Sequence, residues 1–103
     1  MTTEELRHVK VVYLGLVRNV LDCSEEIAEV GERTTVGQLL EELASRHGDP
    51  FRFSVFKGDG DLRSTVLVCM NDCDVSQLGG LETRLEADAQ LTVIVGVYPP
   101  EGG

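Results

Sequence analysis

Two apolar strand candidates near opposite ends of the chain, Val9–Leu14 and Leu91–Val97, constrain the fold more than any other feature. Both are rich in β-branched and aliphatic residues, with too few polar breaks for a strand that is wet on one side. Both are therefore expected at the centre of a sheet, covered on both faces. If they lie side by side and parallel, the chain between them must cross over the sheet.

That intervening chain supplies the crossover. A weaker strand is expected from Ser24 to Val30, where Ile27 interrupts a mostly acidic run, and it fits an exposed hairpin partner of the first strand. Gly15 and the polar Arg18-Asn19 mark the turn between them. Thr35 then stands as an N-cap with Gln38 three residues later, the spacing of a capping box. Val36, Leu39, Leu40 and Leu43 follow as one apolar stripe, with Glu41, Glu42 and Ser45 on the opposite side. Gly48 and Pro50 supply the stop. Phe51 to Arg63 is a mixed stretch, and its Lys57-Gly58-Asp59-Gly60-Asp61 segment is a turn. It lacks the later glutamate that a calcium loop needs. Thr65–Met70 is another two-sided strand, closed by the turn formers Asn71-Asp72. Gly79-Gly80 is expected to answer a need for positive φ. The order is strand, strand, helix, strand, short elements, strand. This is the β-grasp plan: an α+β fold with a mixed sheet of four to five strands, one main helix packed across it and an extended C-terminal tail.

A chain of 103 residues with 42% hydrophobic content suits a single domain spanning residues 1–103. A formal net charge of −9 argues against nucleic acid or an anionic membrane as partner and favours a basic protein surface, although solubility alone explains it equally well. No apolar run is long enough to cross a bilayer, and the acidic start Met1-Thr2-Thr3-Glu4-Glu5 is unlike a secretory signal, so a cytoplasmic location is expected. Cys23, Cys69 and Cys73 form neither a disulfide framework nor a metal-ligand pattern. His8 and His47 carry no ligand spacing, so no metal is expected and none of these residues is given a catalytic role.

The last residues carry the most specific chemistry. Tyr98-Pro99-Pro100-Glu101-Gly102-Gly103 leaves the final strand as a tail, expected to be flexible. Its two prolines fix φ and favour an extended path, so less freedom is lost when a partner threads it. An α-carboxyl titrates near pH 3.5, so Gly103 presents a carboxylate able to attack the α-phosphate of ATP held by a partner enzyme. Neither glycine has a Cβ to obstruct a narrow tunnel. A frayed end accounts for the same residues with equal economy.

In pattern the chain resembles the ubiquitin-like sulfur carriers of the MoaD and ThiS type. The likeness runs through the Val9–Leu14 strand, Thr35-Val36-Gly37-Gln38-Leu39-Leu40, Val68-Cys69-Met70-Asn71-Asp72-Cys73-Asp74-Val75, Gly79-Gly80-Leu81-Glu82-Thr83-Arg84-Leu85 and Gly102-Gly103. The Asn71–Val75 stretch followed by Gly-Gly-Leu is most similar to the carriers that feed a cysteine synthase. The resemblance implies a ubiquitin-like fold and a protein cosubstrate, not an enzyme. It implies that Gly103 is adenylated by a ubiquitin-activating-type enzyme and converted to a thiocarboxylate. The sulfur then passes to an acceptor, either a cysteine synthase or the large molybdopterin synthase subunit. ATP belongs to the adenylating partner, and no cofactor is bound by the carrier. Gly102, Glu101, Pro100, Pro99 and Tyr98 become the partner-binding residues, with the exposed side of the sheet near the final strand as docking surface. The alternative is a protein modifier joined to lysines through the same carboxyl. Tyr98-Pro99-Pro100-Glu101 departs from the family's usual ending, and Glu86-Ala87-Asp88-Ala89-Gln90 lacks the glycine common in that turn.

Overall fold

The computed structural model describes residues 6–96. Strand β1 (Leu6–Gly15) is followed by a short helix α1 (Leu16–Leu21), strand β2 (Glu25–Gly31), helices α2 (Val36–His47) and α3 (Asp49–Val55), strands β3 (Val66–Met70) and β4 (Cys73–Asp74), two single 3₁₀ turns and strand β5 (Gln90–Val95). The sheet order is β2-β1-β5-β3-β4. β1 and β5 pair in parallel from Lys10↔Gln90 to Gly15↔Val95, while β1–β2 and β3–β5 are antiparallel. The mixed sheet and its parallel central pair are those of the β-grasp plan.

Local chemistry accounts for each boundary. The Thr35 hydroxyl accepts from the Gln38 amide and the Gln38 side chain accepts from the Thr35 amide, so both capping-box bonds close. Gly48 ends α2 with φ at 84°. Pro50 then lies in the first turn of α3 rather than in a loop, where a missing N–H costs nothing. Phe51 and Val55, one turn apart, drive that helix onto the core. The expected turn at Lys57–Asp61 is present, with the Lys57 amide donating to the Asp61 carbonyl at 2.7 Å. The turn expected at Gly15–Asn19 is instead α1. Gly15, with φ at 77°, redirects the chain, and burial of Val17 pulls the next six residues into a helix. Of the glycine pair, Gly80 has φ at 63°, but Gly79 sits at −104° and needs no such freedom. In the Glu86–Gln90 turn, Asp88 takes the left-handed position at φ 59°. Aspartate tolerates that region better than most residues, so the missing glycine is accommodated.

One expectation is overturned. Val9, Val11 and Tyr13 of β1 are fully buried, yet Val12 is half-buried and Leu14 is 39% exposed. β3 likewise buries Val68 and Met70 and leaves Leu67 40% exposed. The reason is that α1, α2 and α3 all contribute their buried residues to one core cluster against Val9, Val11, Tyr13, Leu91, Val93 and Val95. A single cover leaves the second face open, and the aliphatic residues there lie in the surface.

Candidate functional site

The site is built around the end of β5, because β5 carries the chain out towards residues 97–103. Its last turns are gripped from both sides. Val95 stands opposite Gly15 on β1 and Val66 on β3, and the Gly96 amide donates to the Thr65 carbonyl at 2.9 Å. A Cβ at Gly15 would lie 2.2 Å from the Val95 carbonyl oxygen, so only glycine lets β1 close on β5 here. The point from which the tail departs is therefore held by the two central strands and β3. Tyr98, Pro99, Pro100, Glu101, Gly102 and Gly103, all named from the sequence as site residues, lie outside the described residues.

Beside this exit lies the open face of the sheet. Register places Leu14, Ile94 and Leu67 in one row across β1, β5 and β3, and Val12, Thr92 and Cys69 in the next. The first row is a strip of aliphatic side chains whose β5 member, Ile94, stands two residues before Gly96, the last described residue. This row lies on the face where a docking surface is expected from the sequence.

Cys69 borders that row and is half-buried. Burial pushes its thiol above the ordinary range, and the neighbouring Asp74, Cys73 and Asp72 reinforce the shift, so it stays protonated at neutral pH and is a poor nucleophile. Among the described residues no group of His, Cys, Asp and Glu is arranged to hold a metal ion.

A second cluster escaped the sequence reading. Glu26, paired with Val11, points to the helix-covered side of the sheet, where it meets three donors. The Tyr13 hydroxyl donates to it at 2.5 Å, His47 Nε2 lies 2.6 Å away and Arg46 Nη1 2.9 Å. Burial pushes the Tyr13 phenol far above its ordinary range, with Glu26 adding to it, so the phenol keeps its proton and serves as donor. For Glu26 burial acts upwards, but the hydrogen bonds from Tyr13, His47 and Arg46 outweigh it and hold the carboxyl below the ordinary glutamate value. The cluster locks β1, β2 and the end of α2 together. No local signal announces it, because Glu26 stands in an acidic run and its three partners are spread over 13 to 21 residues.

Comparison with known proteins points in one direction. The model of the ThiS family matches residues 11–99. No curated protein sequence matches the chain. Among solved structures, the small archaeal modifier protein 1 of Haloferax volcanii superimposes with a TM-score of 0.77 at 22% identity, over 88% of this chain and 99% of that one. A putative molybdopterin converting factor, subunit 1, from Pyrococcus furiosus gives 0.70 at 26% identity, over 88% and 99%. CysO of Mycobacterium tuberculosis gives 0.70 at 23%, over 86% and 99%.

Proposed function

Because the chain belongs to the ThiS family, the ubiquitin-like sulfur carriers of the MoaD/ThiS type, we propose that Gly103 is the acyl group that is activated and loaded with sulfur. The observation that carries this reading is the placement of β5. The strand is central, paired with β1 on one side and β3 on the other, and in sequence it stands directly before the segment that ends in Gly102-Gly103.

The chemistry balances without help from the carrier's side chains. The Gly103 carboxylate attacks the α-phosphate of ATP bound to a ubiquitin-activating-type partner, forming an acyl-adenylate and releasing pyrophosphate. A sulfide donor attacks the acyl carbon, AMP leaves, and a thiocarboxylate remains. That sulfur is then given to an acceptor, of the cysteine synthase type or the large molybdopterin synthase subunit, and hydrolysis restores the carboxylate. Leu14, Ile94 and Leu67 supply the apolar strip on which the adenylating partner docks, and Tyr98, Pro99, Pro100 and Glu101 span its tunnel. The net charge of −9 suits a partner with a basic rim.

Intact-mass measurement of the full chain, incubated with ATP, an adenylating partner and a sulfide source, should show one oxygen replaced by sulfur. A mass that never changes with any cognate partner defeats the reading. Likeness of fold to the archaeal modifier supports a second use of the same acyl-adenylate, capture by a lysine amine. Conjugates of higher mass that vanish on deletion of Gly102-Gly103 are its signature.

A further inference from the structure

The sheet ends in an incomplete edge. β4 pairs only with Cys69 and Met70, so the Val66–Val68 half of β3 has no strand neighbour on the side away from β5 among the described residues. The direction of its backbone groups follows from alternation. Thr65 accepts from Gly96 and Asn71 donates to Gln90, so residues 65, 67, 69 and 71 face β5. Val66 and Val68 face the other way, and the Val66 amide indeed donates backwards to the Arg63 carbonyl at 3.0 Å. That leaves the Val66 carbonyl and the Val68 amide aimed outwards, two residues apart. One residue of a parallel strand bonds both groups at that spacing.

These groups do not open onto bare solvent. Val66 and Val68 line a groove of about 420 Å³, between the Lys57–Leu62 turn and the 75–81 segment. Leu62, Val75 and Leu81 provide apolar walls for alternate side chains of an added strand. Asp61 and Asp74 stand at the groove, and its one cation, Lys57, lies 3.7 Å from Asp59. Leu67, at the end of the apolar row on the open face, joins the two surfaces.

We propose that this groove takes an extended segment of a partner protein, added as a strand to the Val66–Val68 edge, with apolar side chains at alternate positions and a lysine or arginine beside Asp61 and Asp74. Main-chain bonds to Val66 and Val68 supply affinity, and the apolar walls and the two carboxylates supply selection. The inference stands on edge geometry and charge alone, and it holds whether or not Gly103 carries sulfur.

The test is an NMR titration of the full-length chain with the synthetic peptide acetyl-Lys-Val-Thr-Val-Lys-amide. The expected result is a shift and slowed exchange of the Val68 amide, with shifts of the Leu62 and Leu81 methyls. Ser76→Trp, a replacement at an exposed groove position, and Asp61→Lys should each weaken binding about tenfold while the β5 amides stay in place. The same peptide with glutamate at both ends should bind less tightly. A Val68 amide that does not move, or affinity unchanged in both variants, overturns the proposal. So do Val68 shifts that appear without peptide, either on raising the protein concentration or on comparing the full chain with one ending at Gly96. The first assigns the edge to a second copy and the second to the chain's own tail.

Discussion

The two faces of one sheet have much the same residue types and opposite fates. On the helix side, Val9, Val11, Tyr13, Leu91 and Val93 are fully buried beneath Leu39, Leu40 and Leu43. On the other side, Leu14 and Leu67 are 39% and 40% exposed, flanking a half-buried Ile94. The aliphatic residues of the first face hold the fold together, each contributing about 2 kcal/mol by burial. Those of the second are only partly withdrawn from water in the free chain, and it is on this row that the proposed docking of a partner rests.

Truncation on the closed face should hurt most. Leu91→Ala leaves a cavity under α2 and is expected to lower unfolding free energy in urea by about 3 kcal/mol. A loss below about 1 kcal/mol would mean that the core collapses to fill the space and the two faces differ less than their burial implies.

The next effect comes from the seam where the faces meet. Gly15→Ala places a Cβ 2.2 Å from the Val95 carbonyl oxygen at a φ of 77°. It should cost about 2 kcal/mol and, by shifting the exit of β5, slow any modification at Gly103. Stability and modification rate measured on the same variant separate strain from tail position.

At the rim of the closed face, Glu26→Gln is expected to cost about 1 to 2 kcal/mol at neutral pH, because Tyr13, Arg46 and His47 lose their shared carboxylate. The sign of its pH dependence follows from the lowered carboxyl. A depressed folded value stabilises above the unfolded glutamate value of about 4.3 and loses that contribution as pH falls through the folded one. The difference in urea midpoint between wild type and variant should thus be flat near neutrality and close on acidification. A difference that widens in acid would show that Glu26 is not held ionised.

The smallest stability effect is the most informative functionally. Leu67→Ser, at a side chain 40% exposed, should lower unfolding free energy by only about 1 kcal/mol, yet reduce the rate of adenylation by a partner enzyme. Unchanged adenylation would move the docking surface elsewhere, with the β3 edge as the next candidate.

Much of this was legible in the chain. The Thr35–Gln38 cap and the Val36–Leu43 stripe predict α2 because both are properties of adjacent residues along one helix. The pairing of β1 with β5 followed from two apolar runs and a crossover long enough to make them parallel. Other features were hidden. α1 rests on the burial of Val17 by distant neighbours, and α3 on Phe51 and Val55 meeting the core, so a local reading sees a turn at Gly15 and, at Pro50, only the stop of α2. The Glu26 cluster is assembled from three elements, and no spacing foretells it. The tail residues Tyr98 to Gly103 lie outside the described residues.

From sequence alone came α2, the four longer strands, the parallel centre and the family, because hydrophobic period, caps and motif order are written in nearest-neighbour terms. Which face of the sheet would be closed was decided only by the tertiary structure. An unbroken aliphatic strand fits one cover or two equally well, and the number of layers depends on how many helices the rest of the chain can lay across it. Here they share a single core, and the uncovered row beside Gly96 is the consequence.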